Sequence, residues 1–146
     1  MSLQDASASA PAQFERIHPM LSTPIIGQFR KAAASSPQQA CVMVYRDDHR
    51  TLLWDDKLAA GRSAGTAVPL GQCLSFEHDQ FEAIQESLRA GAPVGEFLVI
   101  TEKSDGCYEF SAAPARRESA GSARLLFDRA EYRAFVEAVG NYEFER

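Results

Sequence analysis

A chain of 146 residues suits one ordinary domain or two very small ones, and at that length a single shared core is the more stable arrangement. Its net charge of -5 argues against a protein that grips a nucleic-acid backbone unaided, because such binding rests on clustered Lys and Arg. The first residues lack a basic start followed by an apolar run, and no later stretch is long and apolar enough to span a bilayer. A cytoplasmic protein with no membrane partner is therefore expected.

Residues 1–21, rich in Ala and Ser at their start, offer too little apolar surface to repay ordering and read as a flexible tail, with residues 22–146 forming one domain. Next, Ser22 or Thr23 can cap a helix with Pro24 in its first turn and Ile25, Ile26, Phe29 and Ala33 along one face, ending near Ser35-Ser36-Pro37. A hairpin follows. Cys41 to Tyr45 is apolar and rich in strand formers, Arg46 to Arg50 turns, and Thr51 to Trp54 returns.

The same pattern recurs from Phe97 to Phe110, and a turn without gaps aligns Val42 with Leu98, Leu52 with Tyr108 and Trp54 with Phe110. After small-residue loops, each hairpin meets a short strand, Leu74-Ser75-Phe76 or Leu125-Leu126-Phe127, that runs into an amphipathic helix. Phe81, Ile84 and Leu88 match Tyr132, Phe135 and Val139, and spacings of three and four place each trio on one helical face. Asp128 and Glu131 make a reciprocal cap, for which Glu77 and Gln80 are the weaker equivalent. Such self-similarity predicts an α+β fold of two β-β-β-α repeats, over residues 29–91 and 96–146. The repeats are expected to share one sheet, with their helices on one face and an extra N-terminal helix. Duplication within one chain would supply the contact that single-copy relatives make by dimerising.

No arrangement of residues announces a chemistry. Cys41, Cys73 and Cys107 are an odd number without Cys-x-x-Cys spacing and read as buried thiols. His18, His49 and His78 are scattered, so neither a metal nor another cofactor is expected. Gly61 to Thr66 lacks the Lys and the glycine spacing of a phosphate loop. Asp47-Asp48 and Asp55-Asp56 fit turns that bond to their own backbone better than a general acid and base. Trp54 is either core filler or an interface anchor, and Arg129 and Arg133 lie one turn apart on the solvent side of the last helix.

Several of these residues resemble a known pattern: Phe29-Arg30-Lys31 before a Cys41-Val42-Met43-Val44 strand, then Trp54-Asp55-Asp56-Lys57. The second copy adds Leu125, Phe127, Ala130, Glu131, Tyr132 and Phe135, closing on Glu143-Phe144. The chain is similar here to the family of small actinobacterial domains that includes the developmental protein BldB, and looks like a tandem version of it. That resemblance implies a protein encoded beside helix-turn-helix regulators and acting through protein partners. The resulting expectation is a non-enzymatic interaction module that modulates such a regulator through Trp54, Asp55, Lys57, Arg129 and Arg133. One alternative is a small enzyme or ligand-binding protein using a cleft between the repeats, with Cys73, His78 and Asp79 as its candidate groups. Another is an accessory protein that binds its own copies.

Overall fold

The computed structural model describes residues 23–33 and 41–146, so the expected tail over residues 1–21 lies outside it. Strands β1 (Val42–Arg46) and β2 (Thr51–Asp55) form the first hairpin, and β3 (Leu74–Phe76) pairs with β2 before the chain enters helix α1 (His78–Ala90). The order then recurs as β4 (Leu98–Glu102), β5 (Tyr108–Ala112), the one-turn helix α2 (Arg117–Ala120), β6 (Leu125–Phe127) and α3 (Arg129–Gly140).

The fold is α+β, but the shared sheet is replaced by two antiparallel sheets, β1-β2-β3 and β4-β5-β6. Their third strands are occupied by other groups. Gly121, just after α2, runs so close to β3 that an added Cβ would lie 3.3 Å from the Cys73 carbonyl oxygen. On β6, the Leu126 carbonyl accepts a hydrogen bond from Lys57 Nζ at 2.8 Å. What joins the halves is apolar burial: Phe76, Phe81 and Ile84 share one core cluster with Phe110, Phe127, Phe135 and Phe144.

The helix expected after Thr23 does not form. Apart from one 3-10 turn (Ile26–Gln28), this segment is extended, with Ile25 bridged to Ala67 and Arg30 to Val44. Tertiary pairing overrides local propensity here. The Arg30 N–H donates to the Val44 carbonyl at 2.7 Å and the Val44 N–H donates back at 2.8 Å, which closes the outer edge of β1. Gly27 permits the close approach, since a Cβ there would meet Ala64 at 3.2 Å.

Both helices begin and end alike. The Asp128 carboxylate accepts from the Glu131 N–H at 2.8 Å and Glu131 accepts from the Asp128 N–H at 2.7 Å, while Gln80 accepts from the Glu77 N–H at 3.0 Å. At the other end the Ala92 N–H donates to the Ser87 carbonyl, and the Glu143 N–H to that of Ala138, each at 2.9 Å. This is the Schellman arrangement, which needs a left-handed residue just before the donor. Gly91 supplies it at φ 69°, and Tyr142, a residue with a side chain, supplies it at φ 59°. Along these elements, therefore, position i of the first half corresponds to i+51 of the second.

The hairpins obey a different correspondence. In the register with the third strand, Leu53 lies opposite Leu74 and Phe110 opposite Leu125, so Phe110 is the counterpart of Leu53. The gap-free match of Trp54 to Phe110 is thus one residue out, because the second turn carries an extra residue, held at Gly106 with φ 88°. In a strand, a shift of one moves a side chain to the opposite face. Trp54 belongs to the outer face of its sheet, packed with Phe29, Met43, Leu52, Val68 and Cys73. Its counterpart is Ser111, and the outer face of the second sheet carries no such cover.

Arg46, at the end of β1, shows how differently the two halves are finished. Its side chain is 0% exposed, and every nitrogen of the guanidinium has a partner. Nε donates to Thr51 at 2.9 Å, one terminal nitrogen to Glu82 at 3.0 Å and the Phe144 carbonyl at 3.2 Å, and the other lies 3.2 Å from His78 Nδ1. The cation also lies over the Phe81 ring, 4.9 Å from its centre. Replacing Arg46 with alanine leaves these groups facing an empty site, and a stability loss of about 3 kcal/mol is expected. Glu102→Ala, at the counterpart position, is expected to cost no more than about 0.5 kcal/mol. Urea midpoints at unchanged m-value read both, and equal losses would contradict the asymmetry.

Candidate functional site

Three of the five residues expected to bind a partner are engaged inside the molecule. Trp54 is 1% exposed, its ring 5.7 Å from that of Phe29, and its indole N–H donates to Gln72 at 3.1 Å; it fills the core and is not an exposed anchor. Asp55 is buried and accepts from the Lys57 N–H at 2.9 Å, starting a 3-10 turn. Lys57 clasps the two halves through Asp55 at 3.1 Å, Glu131 at 3.2 Å and the Leu126 carbonyl. Burial pulls the Lys57 pKa down, but the carboxylates of Asp55 and Glu131 more than offset this and hold it above the ordinary lysine value.

The candidate catalytic set has no working nucleophile. Cys73 is buried, its Sγ facing the Pro69 carbonyl at 3.7 Å, and burial pushes its pKa up to about 12. His78 is held against Arg46, while Asp79 is exposed on the first turn of α1. Asp47 accepts from the N–H groups of His49 and Arg50 at 2.7 and 2.9 Å, the turn role expected of it. Cys41 is buried and Cys107 half-buried. Among the described residues, no three His, Cys, Asp or Glu groups gather as a metal site. No helix among those residues is long and apolar enough to cross a membrane.

The remaining two residues, Arg129 and Arg133, lead to the open part of the surface. A cleft of about 560 Å³ lies between the end of α1 and the exposed side of α3, lined by Leu88, Ala92, Tyr132, Arg133, Val136 and Glu137. A second hollow of about 360 Å³ adjoins it through Leu88, Ala92 and Tyr132 and continues along β4 past Val99, Ile100 and Glu102. Tyr108 and Tyr132 form its floor as a stacked pair, ring centres 4.0 Å apart. The outer end is acidic and loosely tied, with Glu102 3.8 Å from Arg129 and both side chains 58% exposed. An apolar floor with a few charges at its rim is suited to binding, and nothing in it is poised for bond cleavage.

The sequence had pointed to Arg133 but not to the tyrosines or to Glu102. A usable signal existed in the hairpin comparison. Arg46 and Glu102 occupy equivalent strand ends with opposite charge, and their helix neighbours invert with them: His78 and Glu82 in one half, Arg129 and Arg133 in the other.

The raised Cys73 pKa has a definite sign. The unfolded chain releases this proton near the ordinary thiol value of 9.0, the folded chain near 12, so stability should fall as pH rises between them. At pH 8, iodoacetamide is expected to spare Cys73 in the native chain and to label it only after unfolding; rapid native labelling would contradict its burial. The chain matches no family model, no curated protein and no solved structure.

Proposed function

We propose that the chain is a non-enzymatic interaction module whose binding surface is the groove formed by the end of α1, the outer side of α3 and strand β4. The observation that carries this reading is the groove itself, an apolar floor with Tyr132 at its centre and Arg133, Glu137 and Glu102 at its rim. Aromatic residues surrounded by charge are the usual makeup of interface anchors. Cys73, His78 and Asp79, by contrast, offer no activated nucleophile. Arg129 and Arg133 are kept as partner-binding residues, and Asp55 and Lys57 act indirectly, by holding the halves together.

The partner class we favour is a helix-turn-helix regulator, in keeping with the BldB-like resemblance carried by Phe29-Arg30-Lys31, Cys41 to Val44 and the Tyr132 helix. The β-β-β-α order appearing twice supports internal duplication of one ancestral unit. A second reading, a small-ligand protein using the cleft between the halves, draws on its volume, which lies within the range of small-molecule sites.

Capture of the tagged full chain from its native lysate at moderate salt tests the first reading. A helix-turn-helix protein should be recovered by the native chain and lost by about tenfold with Arg133→Glu combined with Glu137→Arg, while the thermal midpoint of the variant stays within about 2 °C of the parent. Recovery of the bait alone, or of the same partner by the variant, would overturn it.

A further inference from the structure

The first half of the molecule displays what the second half lacks. In an antiparallel ladder, successive residues alternate in direction between the partner strand and the free side. The Lys103 N–H donates to the Cys107 carbonyl and the Ala113 N–H to that of Phe97, so Val99 and Thr101 turn their backbone groups toward β5. Leu98, Ile100 and Glu102 then direct theirs to the outer edge of β4. The corresponding edge of β1 is closed by Arg30 on Val44, and Ile100 is the counterpart of Val44. Among the described residues, nothing bridges to Ile100.

Chain length explains the difference. Arg30 lies well upstream of β1, whereas only residues 91–97 separate α1 from β4. The stretch that could have doubled back along β4 is already part of α1.

The side-chain site is matched as well. The Arg30 guanidinium donates to the carbonyls of Glu143, Phe144 and Glu145 at 3.1, 3.3 and 3.0 Å, just beyond the Schellman turn of α3. The counterparts of these residues after α1 are Ala92, Pro93 and Val94, and all three line the hollow beside β4. Among the described residues, no backbone N–H donates to their carbonyls. In the first half Arg30 also faces the like charge of Arg46, which, after burial, contributes to lowering its pKa. In the second half Glu102 stands where Arg46 stood.

The geometry points to strand addition: the outer edge of β4 takes an extended peptide bearing an aromatic-Arg pair, antiparallel to β4, with its Arg opposite Ile100 and the guanidinium between Glu102 and the Ala92 to Val94 carbonyls. The backbone ladder supplies sequence-independent affinity, and Glu102 with the three carbonyls selects the Arg. The aromatic residue, like Phe29, falls on the outer face of the sheet, where Val99 and the open seat left by Ser111 receive it. This site refines the proposed groove and rests on the interaction-module reading.

The probe is a synthetic peptide copying residues 25–33, Ile-Ile-Gly-Gln-Phe-Arg-Lys-Ala-Ala, titrated into the full chain with amide NMR as readout. Saturable binding with the largest shifts at Leu98, Ile100 and Glu102, and new exchange protection at the Ile100 amide, is the expected result. Methylating the peptide's Arg nitrogen, which removes a ladder donor without touching the protein, should weaken binding by about tenfold or more. Glu102→Lys should weaken it by about tenfold. Absence of binding, shifts centred on Val44, or indifference to methylation would each overturn the proposal. So would a concentration-dependent dimer that protects Ile100 without peptide, since the occupant would then be a second copy. Capture that is sensitive to Arg133→Glu but unaffected by Ile100→Pro would defeat strand addition and leave the interaction-module reading standing.

Discussion

A guanidinium withdrawn from water is the constraint on which the closed half of this molecule depends. Arg46 can stay charged at 0% exposure only because Thr51, Glu82, His78 and the Phe144 carbonyl reach it together. Phe144 belongs to the last turn of the chain, which Arg30 grips through three consecutive carbonyls, and Arg30 in turn closes β1. The N-terminal segment, the first sheet and the C-terminus are thereby tied into one network. Where the second half carries Glu102 in place of Arg46, no such network assembles, and the surface stays open.

Much of this was legible in the sequence, for reasons that can be traced. The short strands Leu74–Phe76 and Leu125–Phe127 fall where their apolar runs predict, and Phe81, Ile84, Phe135 and Val139 are buried as helical spacing requires. The Asp128 and Glu131 cap forms as expected because it depends only on local backbone geometry. The errors came from effects that a local pattern cannot encode. Pro24 with apolar residues at helical spacing reads as a helix start, yet Arg30 is worth more as a β-bridge across the edge of β1. Matching Trp54 to Phe110 paired aromatic with aromatic and hid the extra residue at Gly106, which reverses the face on which every later residue of β5 lies. Arg46 was passed over as a turn residue, although it follows Val42 and Val44 at alternate positions and so faces the core.

The site was legible only in part. Arg129 and Arg133 were found by their spacing, but Tyr108 and Tyr132 meet across a helix and a strand distant in sequence, and Ile100 matters for its backbone, which no side-chain pattern reports. Edge strands are ordinarily blunted by charge, proline or cover. β4 offers Leu-Val-Ile-Thr-Glu with one acidic residue at its end, beside a hollow that its counterpart fills with the chain's own Arg. Stability and binding are thus divided between halves of like topology, the first closed on itself and the second left with an unpaired edge.

That division rests on β4 being uncovered in the free protein while β1 is covered. Residue-resolved amide hydrogen exchange on the full chain, in the absence of any peptide, compares the two directly. The Val44 amide, bonded to Arg30, should exchange only on global or sub-global opening, and the Ile100 amide should exchange orders of magnitude faster. Equal protection of Val44 and Ile100 would mean that the edge of β4 is already occupied, and the contrast between a closed and an open half would fall.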